Sequence, residues 1–218
     1  RDVAPSRGLG DVYKRQVEYI GIDALGSTVW LKQRQAENPL VQVNHILVNA
    51  TACTDSRVVI PNGVKQIGPY AFNSTAVTEV VIPESVERIG WGAFWNCQSL
   101  KKLNLPANLT QIEESAFCNC AALQELEIPA GVTRIFDNTF SGCTSLKQIT
   151  ILGNLTQIGT VAFYNCTSLT DVYTAMTETA WKAVYIAQKN EPLEQAAMHY
   201  DICLLYTSPS PRDGATSR

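Results

Sequence analysis

The residues in this sequence best suited to chemistry are its cysteines. Cys97, Cys120, Cys143 and Cys166 stand 23 residues apart, and Cys118 precedes Cys120 by two. Thiolates at fixed spacing can hold a metal, pair as disulfides or act as nucleophiles. A zinc site needs ligands that converge, usually Cys-x-x-Cys pairs or cysteine with histidine, and neither pattern is present. A ladder of equivalent cysteines also offers a disulfide no unique partner. One cysteine per period is better explained as a small apolar residue filling the same corner of each successive coil. The expectation is no metal and no cofactor.

Catalysis needs a nucleophile, a base and a group to orient it, or two carboxylates about a pocket. Only two histidines occur, His45 and His199, each flanking the periodic region, and no Gly-rich phosphate loop follows a strand. The expectation is therefore that the chain is not an enzyme. Surface recognition is the remaining chemistry. Tyr70, Trp91, Trp95 and Tyr164 occupy variable repeat positions, where aromatics in neighbouring turns would either form a patch for a protein or glycan ligand or simply shield a turn. A second row, Glu79, Lys102 and Glu125 with Glu127 beside it, alternates with buried strand positions. It reads either as a solvated sheet face or as a Glu79–Lys102–Glu125 charge ladder, each contact of which would contribute a few tenths of a kcal/mol.

These side chains need a scaffold, and the chain is apolar enough to build one. Of 218 residues 45% are hydrophobic and 17% charged, with a net charge of −3. That excludes a disordered chain and gives no basic footprint for nucleic acid. No stretch approaches the roughly 18 consecutive apolar residues of a membrane span, so no membrane insertion is expected. The two ends carry no apolar period. Back-translated, residues 6–16 and 203–213 give one DNA element in opposite orientations, which resembles a transposase-type library adapter. Residues 1–16 and 203–218 are accordingly read as adapter sequence outside the fold. The 186 residues between them carry 11 basic and 17 acidic side chains.

The scaffold is periodic. Ala71-Phe72, Ala93-Phe94, Ala116-Phe117, Thr139-Phe140 and Ala162-Phe163 recur at steps of 22 or 23, as do Ile67, Ile89, Ile112, Ile135 and Ile158. Each unit holds two short stretches that alternate with period two, such as Val80/Ile82 and Leu103/Leu105, several of them ending at a proline. Four or five residues suit a strand and are too few for a helix. A unit this small cannot bury its apolar face alone, so units must stack, strand over strand.

The pattern Ile-Pro-x-x-Val-x-x-Ile-Gly-x-x-Ala-Phe-x-x-Cys-x-x-Leu resembles the BspA-like leucine-rich repeats. It departs in detail: Ser74 stands near the cysteine position of the shortened first unit, Leu152 replaces proline, and Glu113 and Phe136 replace glycine. The resemblance implies a mainly β, right-handed leucine-rich-repeat solenoid with parallel strands and short helical turns. Five units would span 57–171. Residues 17–56 read as the end of an upstream repeat plus an insert, with a helix over 30–38 and a strand pair turning at Asn44-His45. Residues 172–202 read as a cap, with helices over 178–187 and within 190–201 before a terminal strand. By resemblance the chain is a non-catalytic binding or structural segment of a larger bacterial surface or secreted protein, extracellular in setting. The alternative is an accessory repeat segment of a secreted enzyme whose catalytic domain lies elsewhere.

Overall fold

The fold, taken from a computed structural model, is described for residues 28–202. The Thr28 hydroxyl accepts the Leu31 N–H at 3.2 Å and caps helix α1, Val29–Glu37. The helix stops short of Pro39, and strands β1 (Val41–Val43) and β2 (Ile46–Asn49) follow as an antiparallel hairpin. Asn44 turns it in the left-handed region, at φ 54°. Residues 17–25, the expected upstream unit, lie outside the described residues, as do both ends read as adapter sequence.

Each later turn contributes two strands. They are β3 (Arg57–Val59) and β4 (Gln66–Ile67), β5 (Glu79–Val81) and β6 (Arg88–Ile89), and β7 (Lys102–Asn104) and β8 (Gln111–Ile112). Then come β9 (Glu125–Ile128) and β10 (Arg134–Ile135), β11 (Gln148–Ile151) and β12 (Gln157–Ile158), and β13 (Asp171–Thr174). Like strands pair in parallel with no slip, Ile67 on Ile89 on Ile112, and Leu126 on Ile149 on Val172. This is a β-solenoid, and every core position of one turn covers the same position of the turn before it. Phe72, Phe94, Phe117, Phe140 and Phe163 are fully buried and stack in one column, centroids 4.9, 5.3, 5.7 and 5.3 Å apart.

The corner around each phenylalanine carries a third ladder that no strand pattern announces. The residues two before and two after each Phe are left-handed: Tyr70 and Ser74, Gly92 and Asn96, Ser115 and Asn119, Asn138 and Gly142, Val161 and Asn165. With that alternation, the N–H groups of Phe and of both left-handed neighbours point together at the next turn. Tyr70, Phe72 and Ser74 donate to the carbonyls of Trp91, Ala93 and Trp95 at 3.1, 2.8 and 2.8 Å. The same three bonds recur at Gly92, Phe94 and Asn96, and onward. Asn, Gly and Ser hold most of these positions because they tolerate positive φ. Val161, at φ 52°, is β-branched and strained there. Val161→Asn should therefore raise the melting temperature by roughly 2–4 °C, about 1 kcal/mol, in a thermal scan. An unchanged or lower value would show that valine packing outweighs the strain.

The first part of the C-terminal region differs from the expectation, while the second, a short helix before a terminal strand, agrees with it. Helix α2 spans only Glu178–Trp181, and strand β14 (Tyr185–Ile186) then adds to β12. Helix α3 (Glu191–Gln195) leads into β15 (Ala197–His199), which adds to β13. Helix over 178–187 would leave the β12 edge unpaired, and Val184-Tyr185-Ile186 is a stretch of strong strand formers, so pairing prevails. The buried Asn190 closes the corner ladder. Its Oδ1 accepts the Phe163 N–H at 3.0 Å, and its Nδ2 donates to the carbonyls of Gly159 and Ala187 at 2.9 and 2.8 Å.

Both strand ladders are interrupted at one step. Four separate sheets result, β1-β2-β4-β6-β8 and β10-β12-β14 on one side, β3-β5-β7 and β9-β11-β13-β15 on the other. Neither β7 and β9 nor β8 and β10 are hydrogen-bonded. The corner does run through, with Phe117 N–H on the Thr139 carbonyl at 2.9 Å.

Candidate functional site

The cysteine column is buried and each thiol has a task. Cys97, Cys120, Cys143 and Cys166 donate S–H to the carbonyls of Phe72, Phe94, Phe117 and Phe140 in the preceding turn, at 3.0, 3.2, 3.2 and 3.2 Å. They are more than small apolar fillers. In the first unit Thr75, not Ser74, takes the equivalent place, its hydroxyl donating to the Phe72 carbonyl at 2.8 Å, while Ser74 holds the left-handed position. Burial pushes the Cys120 and Cys143 thiols well above the ordinary range and Cys166 up to about 12. The thiols are thereby held in the protonated form that donates to these carbonyls. The six described cysteines are free, and among the described residues no three His, Cys, Asp or Glu side chains are grouped to hold a metal.

The two histidines lie apart. His45 donates from Nδ1 to the Gly63 carbonyl at 3.0 Å. His199 on β15 bonds Asp171 through Nε2 at 2.8 Å and stacks on Tyr173 at 4.2 Å. Hydrogen bonds from His199 and then from Thr170 hold the Asp171 carboxyl below its usual range. The contact docks the last strand on its neighbour.

Three of the four aromatic residues come together on the corner. Tyr70 meets Trp91 edge-on at 4.7 Å and stacks on Trp95 at 5.5 Å, and the two tryptophans meet at 5.8 Å. All three are half-buried. Gly92 makes the cluster possible, because a Cβ there would come within 3.1 Å of the Tyr70 ring. Glu113, which stands where the repeat has glycine, braces it from the next turn. One carboxylate oxygen accepts the Trp91 N–H at 2.9 Å and the other pairs with Arg88 at 3.0 Å. Neither role was visible beforehand, although the break in the glycine pattern at Glu113 was the available signal. Tyr164 shares the Trp95 position but stands three turns on, beyond Cys118 and Ser141, and is 53% exposed. It does not join the cluster.

Glu79 pairs with Arg57 at 3.1 Å on its N-terminal side, and the Glu79–Lys102–Glu125 ladder does not form. Glu79 lies in register beside Lys102 within one sheet but is engaged by Arg57 on its other side, and between Lys102 and Glu125 the sheet itself is interrupted. Among the described residues Lys102, Glu125 and Glu127 make no ion pair. They and Glu79 instead line two adjoining depressions on the strand face, of about 620 and 640 Å³.

A family model described as the BspA type leucine rich repeat region matches residues 52–184 in six copies. Among solved structures, the chain is similar to a leucine rich cell surface protein from Faecalibacterium prausnitzii A2-165. The identity is 39% over 60% of this chain and 35% of that one, with a TM-score of 0.58. A leucine-rich repeat protein from Eubacterium ventriosum shares the fold, at 23% identity over 77% of this chain and 49% of that one, TM-score 0.57. So does the pneumococcal vaccine antigen PcpA, at 21% identity over 72% and 44%, TM-score 0.54. The chain spans about a third to a half of the length of these proteins. Comparison with curated proteins gave no match.

Proposed function

The chain belongs to the BspA-type leucine-rich repeat family, and on that premise we propose that it is a non-catalytic recognition module of a bacterial surface or secreted protein. The observation that carries this reading is the aromatic cluster. Tyr70, Trp91 and Trp95 lie on a corner where other turns place residues as unlike as Ser115 and Asn138, Glu114 and Asp137, or Asn73 and Ser141, so the solenoid does not require rings there. They stay half in solvent, and their backbone is held by Gly92 and Glu113. Rings fixed in advance lose little entropy when they stack on a sugar face or an apolar side chain. The ligand is a protein or a glycan.

The test is an array of glycans and extracellular proteins probed with the chain and its variants. Trp91→Ala and Trp95→Ala should retain the thermal transition and lose about thirtyfold or more in affinity for whatever binds, the effect of an aromatic anchor of about 2 kcal/mol. Lys102→Ala should change affinity only slightly, and mainly at low salt. Silent tryptophan variants would remove the site from this corner, and unfolded ones would make the rings structural.

A further inference from the structure

We infer that the aromatic corner takes a neutral glycan, through a pyranose whose hydroxyls stand equatorial. This rests on the reading of that corner as the recognition site and adds the class of its ligand. Tyr70 and Trp95 lie 23° from parallel, and Trp91 meets both edge-on. Rings at these separations touch one another, so no alkyl chain or ammonium group inserts between them, and the ligand must lie against the cluster from outside. The stacked pair leaves each ring one face that the other does not cover. A pyranose with equatorial hydroxyls carries axial C–H groups on both sides and so offers a flat apolar face to match, which an axial hydroxyl would interrupt.

The border of the rings carries a second observation. A row of side-chain hydrogen bonds runs past Trp95. Gln98 Nε2 donates to Asn96 Oδ1 at 2.8 Å, Asn96 Nδ2 to Ser74 Oγ at 3.1 Å, and Ser74 Oγ to Asn73 Oδ1 at 2.9 Å. Asn96 follows Trp95 in the chain, and Asn73 holds the place of Trp95 one turn earlier. All four polar side chains are exposed or half-buried. The row has a direction, so its ends differ: Asn73 Nδ2 has protons to donate and Gln98 Oε1 has lone pairs to accept, and neither has a partner among the described residues. A sugar hydroxyl both donates and accepts, so it satisfies either end without breaking a bond of the row. An apolar peptide face would desolvate these amides and leave them unpaired. Charge narrows the class further. Arg88 neutralises Glu113, but Glu114, in the place of Trp91 one turn on, is exposed and makes no ion pair among the described residues. One uncompensated negative charge beside the rings repels uronic and sialic acid units.

The experiment titrates the full chain by calorimetry with cellohexaose, with its counterpart oxidised to carboxylates at C6, and with an apolar hexapeptide carrying leucine and tryptophan. Cellohexaose should bind saturably and equally at low and high salt, and the oxidised form about tenfold more weakly at low salt. Asn73→Ala and Gln98→Ala should each weaken cellohexaose binding about fivefold without moving the thermal transition, and Trp95→Ala about thirtyfold or more. Failure of cellohexaose to bind, or full affinity in the Asn73→Ala, Gln98→Ala double variant, would overturn the inference. If the hexapeptide binds in its place and is lost in Trp95→Ala, the corner stays a recognition site, for protein. Cellohexaose binding untouched by Trp91→Ala and Trp95→Ala would overturn both readings.

Discussion

Phe117→Ala is expected to cost about 3–5 kcal/mol and to lower the melting temperature by roughly 10 °C. Phe117 is fully buried, between Phe94 at 5.3 Å and Phe140 at 5.7 Å, so truncation empties a space that three turns share. Its position makes it the most consequential ring of the column. Between its turn and the next, neither strand ladder is hydrogen-bonded, and the joint rests on the corner and the core. Loosening that corner should divide the cooperative unit. Hydrogen exchange should therefore show β3 to β8 and β9 to β15 losing protection at different denaturant concentrations in the variant, while the parent opens as one. Phe117→Leu, which keeps most of the volume, should cost well under half as much. A fall below about 1 kcal/mol for alanine would mean that neighbouring turns collapse into the space.

Asn190→Ala is expected to cost about 2–4 kcal/mol, from the three backbone groups it leaves without partners. These are the Phe163 N–H and the carbonyls of Gly159 and Ala187, all satisfied by one buried amide. Asn190→Asp separates the parts. The acid keeps the acceptor for Phe163, loses both donors and buries a charge near two carbonyls, so it should be at least as damaging at neutral pH and partly recover when protonated at low pH. Chemical denaturation of the three proteins at pH 7 and pH 4 reads this directly. Equal stability of parent and alanine variant would show that water replaces the amide.

Much of this architecture was legible because a 23-residue step repeats core residues in register. Val80, Leu103, Leu126 and Ile149 need only be read in alternation to place a strand face. The corner ladder was less accessible, since positive φ is carried by Asn and Gly in some turns and by Tyr70 and Val161 in others. The first cap helix was misread for another reason. Residues 178–187 have helical periodicity, but the open edge of β12 offers Tyr185 and Ile186 two strand partners that an isolated sequence does not reveal. The charge row forms no ladder because Glu79 takes Arg57 and not Lys102, its neighbour in register, and because the sheet is interrupted between Lys102 and Glu125. The aromatic cluster was anticipated as a set of positions, but its contacts depend on Gly92 and Glu113.

The corner ladder also gives the solenoid a direction. Every Phe-centred N–H is sent toward the following turn, so the peptide dipoles of this edge add along the axis instead of alternating as they do in strands. In the language of polymer growth, each turn is a monomer with a donor end and an acceptor end, and addition is strictly head to tail. A bare donor end would accept another copy in the same orientation without limit, which is how heterologous contacts make filaments. Asn190, with the Gln188 carbonyl beside it taking the Val161 N–H at 3.0 Å, acts as the chain terminator of that reaction.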